Sequence, residues 1–219
     1  MRVGLISDVH ANITALETVL EDMPAVDRIV HAGDAVGYNA WPAECVETLR
    51  DRGIDSVMGN HDRKVAHRTN FERNRMAQAG IQKALADLAG DDLAWIDGLP
   101  ETLTCCDGRV QIVHGHPDDP DRYTYPDEFA PGLLGDEDVL VLGHTHVQHA
   151  EQFGEGIVVN PGSVGQPRDN DPRAGYAVVD LDALTVETHR VEYDIDAVAE
   201  GIVEAGLPQQ SGERLKEGR

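Results

Sequence analysis

Histidine, aspartate and asparagine gather at five places along this 219-residue chain, each directly after a short apolar run. Val3-Gly4-Leu5-Ile6-Ser7 ends in Asp8-Val9-His10, and Ile29-Val30-His31 ends in Gly33-Asp34. Ser56-Val57-Met58 ends in Gly59-Asn60-His61-Asp62. Val110-Gln111-Ile112-Val113 ends in His114-Gly115-His116, and Val139-Leu140-Val141-Leu142 ends in Gly143-His144-Thr145-His146. Imidazole with carboxylate and amide oxygens, and no thiolate, suits Mn²⁺, Fe²⁺, Co²⁺ or Zn²⁺ rather than a cysteine-bound structural zinc. Seven candidate ligands are too many for one ion with an open position. Two ions sharing a carboxylate, roughly 3.5–4 Å apart, would use them all; such a pair makes hydroxide at neutral pH and braces the leaving oxygen of a displacement at phosphorus.

The elements that must position these groups are strands, because carboxyl ends of strands are where sheet-based enzymes place their sites. Residues i and i+2 on an extended segment share a face, so Asp8 with His10, and His144 with His146, can each reach one centre. Neighbouring glycines let the backbone turn sharply there. The pattern predicts strands at Arg2–Ser7, Asp27–Ala32 and Ser56–Met58, and later at 103–106, 109–113, 138–142, 157–159, 175–181 and 184–191. Asn12 caps a helix bearing Ile13, Leu16, Val19 and Leu20 on one face. Pro42 and Gly53 bracket another over Ala43–Arg52, residues 63–97 read as mostly helical, and a closing helix falls near 195–205. The polar stretch from Pro208 to Arg219 reads as a frayed tail. Strand–helix alternation first and a run of strands later implies an α/β sandwich of two packed sheets with helices outside. With no internal repeat, linker or low-complexity block, residues 1–219 read as a single domain.

Charge narrows the partners. Forty acids against eighteen bases give −22, and only Lys64, Lys83 and Lys216 among the bases are lysines. An acidic surface poor in lysine fits a halophilic chain, since salt screens its self-repulsion. A basic surface for long nucleic acid is missing, so a phosphate substrate must be held by something local and strongly positive. Hydrophobic residues at 41% exclude a disordered chain, and no apolar run approaches a membrane span. Met1–Ile6 leads straight into structured sequence without a longer apolar leader, which reads as cytoplasmic. Cys45, Cys105 and Cys106 are too few and odd in number for a disulfide framework.

The order Asp8-x-His10, Gly33-Asp34, Gly59-Asn60-His61-Asp62, His114-Gly115-His116 and Gly143-His144-x-His146 resembles the calcineurin-like metallophosphoesterases. Asn160-Pro161-Gly162-Ser163-Val164-Gly165 is similar to the small prokaryotic phosphodiesterase branch of that superfamily, and the resemblance runs from residue 5 to about 181. It implies a four-layer αββα sandwich with two mixed sheets. It also implies two divalent ions, Mn²⁺ first and Fe²⁺, Co²⁺, Ni²⁺ or Zn²⁺ next. Asp8, His10, Asp34 and His146 would hold one ion; Asp34, Asn60, His114 and His144 would hold the other, with Asp34 bridging. His61 would assist the leaving group, as general acid or as hydrogen-bond donor, and Asp62 would orient it by accepting from its other ring nitrogen. The activity implied is hydrolysis of small phosphodiesters or phosphomonoesters by a hydroxide bridging the ions.

Blander readings apply elsewhere. A lone Asp after a strand is usually a turn former or helix cap. His116 and His149 lie one position off the motif pattern and read as supporting or surface histidines, His31 as a satisfied, partly buried one, and His67 and His189 as solvent-facing. Asn160 reads as a turn residue or as a support for a metal-binding histidine, and Gly162–Gly165 as a phosphate nest or a loop bracing His146. Arg168 is a candidate substrate contact, because arginine reads phosphate bidentately, unless Asp169 or Asp171 pairs with it. Tyr38, Tyr123 and Tyr125 lie in loops that could line a pocket.

Substrate identity is narrowed mainly by what is missing. Protein Ser/Thr phosphatases of the superfamily follow the second motif with Asp-Arg-Gly and place an Arg before the third. Here Ala35-Val36-Gly37-Tyr38 follows Asp34, and Met58 precedes Gly59. DNA-repair nucleases of the superfamily carry an added domain for which 219 residues leave little room. A small phosphoester is therefore the expected partner, with no long nucleic acid, no membrane and a homo-oligomer left open. The turn at Gly37-Tyr38-Asn39 resembles chains grouped with diadenosine tetraphosphate hydrolases, which makes dinucleoside polyphosphates the alternative substrates. A non-catalytic interaction module of the same fold would have no reason to keep His61.

Overall fold

The computed structural model describes residues 1–71 and 73–219. β1 (Arg2–Ile6) is fully buried beyond its first residue, as a central strand must be, and its side chains divide by period two. Val3 and Leu5 face a core between two sheets, while Ile6 faces the helices. β1 pairs in parallel with β2 (Arg28–His31), and β2 with the two-residue β3 (Asp55–Ser56). On its other side β1 runs antiparallel to β9 (Ala174–Asp180), which forms a hairpin with β10 (Thr185–Val191). The first sheet is therefore mixed, in the order β10-β9-β1-β2-β3.

The second sheet joins β4 (Thr102–Cys105), β5 (Val110–Val113), β6 (Val139–Val141), β8 (Ile157–Asn160) and β7 (His149–Gln152), in that order. β5-β6 and β6-β8 are parallel, and the two outer pairs are antiparallel. Ile112, Val139, Val141, Ile157 and Val159 meet Val3, Leu5, Val30, Ala177 and Val179 between the sheets. This is the expected α/β architecture with two mixed sheets. β7 was not anticipated: His-Ala-Glu-Gln carries no apolar alternation, and only edge pairing makes it a strand.

Helices cover the outer face of the first sheet: α1 (Ile13–Asp22), α2 (Pro42–Asp51), α3 (Asn60–Ala66), α4 (Arg75–Asp87) and α5 (Gly90–Asp97). Asn12 caps α1 by accepting from the Ala15 amide, and Pro42 opens α2. The outer face of the second sheet, with Val113, Leu140, Leu142 and Val158, is covered by Phe129, Leu133, Leu134 and Phe153. That layer comes largely from the segment between β5 and β6. Pro117, Pro120, Pro126 and Pro131 limit its helical structure to two 3-10 turns, Pro126–Glu128 and Pro131–Leu133.

The expected frayed tail is corrected. After α6 (Ile195–Glu204), residues Gln209–Glu217 form α7, which packs on α6 with Ser211, Gly212 and Leu215 buried. A Cβ on Gly212 would lie 2.9 Å from the Ala199 Cβ, so small side chains let the two helices approach. Among the described residues no helix is long and apolar enough to cross a membrane.

Candidate metal centre

Parallel pairing delivers the motif residues side by side. With Ile6 beside His31 in the β1–β2 ladder, the chain leaves both strands at one level, and the Asp8 and His10 amides donate to Gly33 O and Asp34 O at 3.0 and 2.9 Å. In the second sheet Ile112 lies beside Val141 and Val141 beside Val159, so His114, His144 and Asn160 emerge together. The sheets are tied at this end: the His144 amide donates to Asp8 Oδ2 at 3.1 Å, and His114 Nδ1 donates to Ala32 O at 2.7 Å.

Asp8, His10 and His146 form one buried group, and Asp34, His114 and His144 another. In the first, His146 Nε2 lies 3.2 Å and His10 Nε2 3.7 Å from Asp8 Oδ1, and the two nitrogens are 3.1 Å apart. In the second, His114 Nε2 lies 3.4 Å from Asp34 Oδ2 and 3.2 Å from Asn60 Oδ1. His10 Nδ1 donates to Val36 O and His146 Nδ1 to Gln166 O, at 3.0 and 2.5 Å. Both Nε2 atoms therefore present lone pairs, as ligand histidines held by backbone carbonyls do. His144 is held the other way round, with Nε2 on Asp121 O at 3.1 Å and Nδ1 left over. Two imidazole lone pairs and the unpartnered, buried Asp8 Oδ1 thus converge on one point. Such a set is repulsive when empty and complete with a cation, so the donors fit a divalent ion of the Mn²⁺–Zn²⁺ group.

The backbone is strained to achieve this. Asp8, His10, Asp34, His144 and His146 all have φ between 47° and 67°, a left-handed conformation that costs an ordinary side chain roughly 1–3 kcal/mol. The cradle is correspondingly tight: a Cβ on Gly59 would sit 2.1 Å from Asp34 Oδ1, and one on Gly165 1.8 Å from Val9 O. Asn160 Nδ2 donates to Gly143 O and Thr145 Oγ1 at 2.7 and 3.0 Å, fixing the turn that carries His144 and His146. Ser163 Oγ donates to Asp8 O and accepts from the Gln166 amide, so Gly162–Gly165 is a bracing loop.

Charges follow the same pairing. Burial would raise the Asp8 and Asp34 carboxyls, but the surrounding histidines hold both below the usual carboxylate range. Burial opposes protonation of His114, yet its Asp34 partner lifts it to about 9. Burial lowers His10 and His146 and takes His144 down to about 4.

His61 is the second residue of α3, with its amide on Asp34 Oδ1 at 2.8 Å and its ring 4.8 Å from His10 and from Tyr38. Its Nδ1 is buried without a partner, and burial pushes its pKa down to about 4. Asp62 does not orient it. The Asp62 carboxylate instead accepts from the Asp34 and Gly59 amides at 2.8 and 3.0 Å through Oδ2, and from the Val36 amide at 3.3 Å through Oδ1. Adjacent helical residues point about 100° apart, so Asp62 at the third helical position turns back onto the loop ends and away from the His61 ring. Burial, then repulsion from Asp34, raises the Asp62 carboxyl to about 7.

Arg168 escapes Asp169 and Asp171, which pair with Arg190 and Arg173. Its Nη2 donates to Tyr38 Oη at 3.2 Å and Gln166 Oε1 at 2.8 Å, and no carboxylate among the described residues pairs with it. Tyr123 stacks on His144 at 3.9 Å between ring centres, with Tyr125 beyond it. His116 accepts from the Asp118 amide, His149 packs against Phe129, and His67 is exposed. His189 stacks on Tyr176 and is 31% exposed, so it faces solvent in part. His31 is fully buried with neither ring nitrogen partnered, not satisfied as expected.

The chain matches the family model of the calcineurin-like phosphoesterase superfamily domain over residues 1–184. It belongs to that superfamily. Across 99% of its length the chain is 34% identical to the uncharacterized protein MJ0912 of Methanocaldococcus jannaschii, covering 98% of that protein. It is 29% identical to the phosphodiesterase YfcE of Escherichia coli K12, over 85% of this chain and 91% of that one. The crystal structure of a metallophosphoesterase from Sphaerobacter thermophilus superposes with a TM-score of 0.86 at 38% identity, covering 100% of this chain and 99% of its own. The chain is thus a calcineurin-like phosphoesterase, in agreement with the sequence resemblance, and its clustered His and Asp side chains form groups that could hold a metal ion.

Proposed function

We propose that this calcineurin-like phosphoesterase works with two divalent ions, Mn²⁺ first among the candidates, on small phosphodiesters or phosphomonoesters. One oxygen carries the reading. Asp34 Oδ2 faces His10 Nε2 at 3.6 Å on one side and His114 Nε2 at 3.4 Å on the other, so a single carboxylate stands between two donor sets. Asp8, His10, Asp34 and His146 would hold one ion and Asp34, Asn60, His114 and His144 the second. Bound there, the ions would supply water activated for attack on phosphorus and positive charge against the phosphoryl oxygens.

The remaining work falls to the chain. His61 hydrogen-bonds the leaving oxygen as the ester bond breaks, a contribution of the general acid–base kind. Arg168, preset by Tyr38 and Gln166, holds a non-bridging phosphoryl oxygen of the substrate. Near-complete burial of Asp8, His10, Asp34 and His114 keeps bulk water from screening these contacts. The phosphodiesterase name of YfcE supports the diester class.

Asp34→Asn tests the bridge. The variant should hold fewer than two metal ions per chain by elemental analysis and lose hydrolysis of bis(p-nitrophenyl) phosphate. Full metal content with retained activity would remove Asp34 from the centre.

A further inference from the structure

Beside the metal-ligand cluster lies a cleft of about 460 Å³ that shares Asn60 and His144 with it. Its size is that of a small-molecule site. Its wall is unlike the rest of the surface. In a chain with more than twice as many acids as bases, Arg63, Lys64 and His67 of the α3 segment line it, and Arg68, Arg73 and Arg75 follow in sequence. Among the described residues the one acid lining it is Asp121, and Arg63 is tied to it at 2.6 Å. Lys64 is half-buried, its Nζ lies 5.6 Å from the centre of the Phe71 ring, and no carboxylate among the described residues pairs with it. Phe71 and Tyr123 supply apolar rings to the same cleft, from the 69–71 and 121–123 loops. Phe71 also packs against His61 at 4.7 Å, and Tyr123 against His144. The cleft therefore starts where a leaving group departs.

We propose that this cleft is a subsite for a leaving group that itself carries a phosphate, so that the preferred substrates are nucleotide-type compounds with a second phosphate beyond the scissile one. The proposal rests on the phosphoesterase reading above and adds the substrate class. Lys64, with Arg63 behind it, meets the second phosphate, and Phe71 and Tyr123 flank the planar base. A cation over an aromatic ring is already desolvated in part, which strengthens its contact with an incoming anion. On ADP the balance is simple hydrolysis. The oxygen of water joins the terminal phosphorus, the bond from that phosphorus to the bridging oxygen breaks, and AMP leaves with the bonding electron pair. The cleft holds the departing α-phosphate. A leaving group that carries no phosphate, such as nitrophenolate, has no second phosphate for Lys64 to meet.

The experiment compares kcat/KM for ADP and for bis(p-nitrophenyl) phosphate at one salt concentration, in wild type, Lys64→Glu and Lys64→Met. Lys83→Glu, whose lysine pairs with Asp87 on α4, controls for net charge. The ADP to diester ratio should fall at least tenfold in both Lys64 variants and stay within twofold in Lys83→Glu. Calorimetric binding of AMP to protein held in excess chelator reads the subsite without turnover, and it should weaken by a similar factor in the Lys64 variants. A ratio unmoved by either Lys64 variant, a wild type that cleaves the diester and not ADP, or no AMP binding in chelator overturns the subsite. A wild type that binds AMP but cleaves neither ester sinks the phosphoesterase reading and leaves the subsite standing.

Discussion

Asp62 offers a quantitative test of what holds the ligand loops together. Its carboxylate accepts three buried amides, from Asp34, Gly59 and Val36, at 2.8, 3.0 and 3.3 Å. Asp62→Ala leaves all three without an acceptor in a site closed to solvent. At about 1–3 kcal/mol for each orphaned donor, and allowing for some relaxation, the loss should be about 3–5 kcal/mol. Asp62→Asn keeps one oxygen, which can occupy the Oδ2 position and serve the Asp34 and Gly59 amides. Its NH₂ group then faces the Val36 amide, donor against donor, at a cost of about 1–2 kcal/mol. Loss of the charge also relieves the repulsion from Asp34, which keeps that figure at its lower end. For a domain this size 1 kcal/mol moves the melting temperature by about 2–4 °C. Circular dichroism melts in excess chelator should therefore show Asp62→Ala down by about 6–20 °C and Asp62→Asn by about 2–8 °C. Activity should fall in the same order, because Asp34 moves with its loop. If Asp62→Ala melted with wild type while only kcat dropped, Asp62 would be acting through the His61 ring and the loop-tying account would be refuted.

His61→Ala should retain both metal ions while kcat falls about 10²–10⁴-fold on an ester with a poor leaving group, and less with nitrophenolate; equal losses on the two esters would argue against leaving-group assistance. Leu215→Ala, which empties a fully buried position on α7, should cost about 2–4 kcal/mol, whereas a frayed tail would show no shift in the melt. With −22 on 219 residues and a Debye length falling from about 10 Å at 0.1 M to about 3 Å at 1 M, the melting temperature should climb between 0.1 and 2 M KCl. A flat or descending curve would dispose of the halophilic reading and leave the metal centre untouched.

The His and Asp cluster was legible because its residues sit where apolar runs stop, and parallel pairing brings such stops to one level. The supporting contacts were not. His10, His114 and His146 are oriented by the carbonyls of Val36, Ala32 and Gln166, and a carbonyl leaves no mark on residue type. Asp62 could have been read correctly: an acid three places after a helix-opening glycine is placed to reach back to that glycine's amide. The stretch from Pro208 read as a frayed tail because only Leu215 in 209–217 is strongly apolar. The signal lay in Ser211 and Gly212, whose small size lets α7 settle against α6. β7 was missed for a related reason, since its strand character belongs to its neighbour β8 and not to its own side chains.

The left-handed backbone at Asp8, His10, Asp34, His144 and His146 has a consequence for how such a chain can drift. At each position two demands conflict: hydrolysis wants His or Asp, and the backbone alone would prefer glycine or asparagine. On the proposed function, selection for activity would hold the costly residue in place. Once that selection lapses, replacement of His10 or His146 by glycine relieves backbone strain and parts two ring nitrogens 3.1 Å from each other, so loss of function and gain of stability lie along the same mutational step there. A lineage that abandoned the reaction would therefore erode first at its ligands, with the sandwich intact around them. The inactive descendant should outlast its parent in a thermal melt taken without metal.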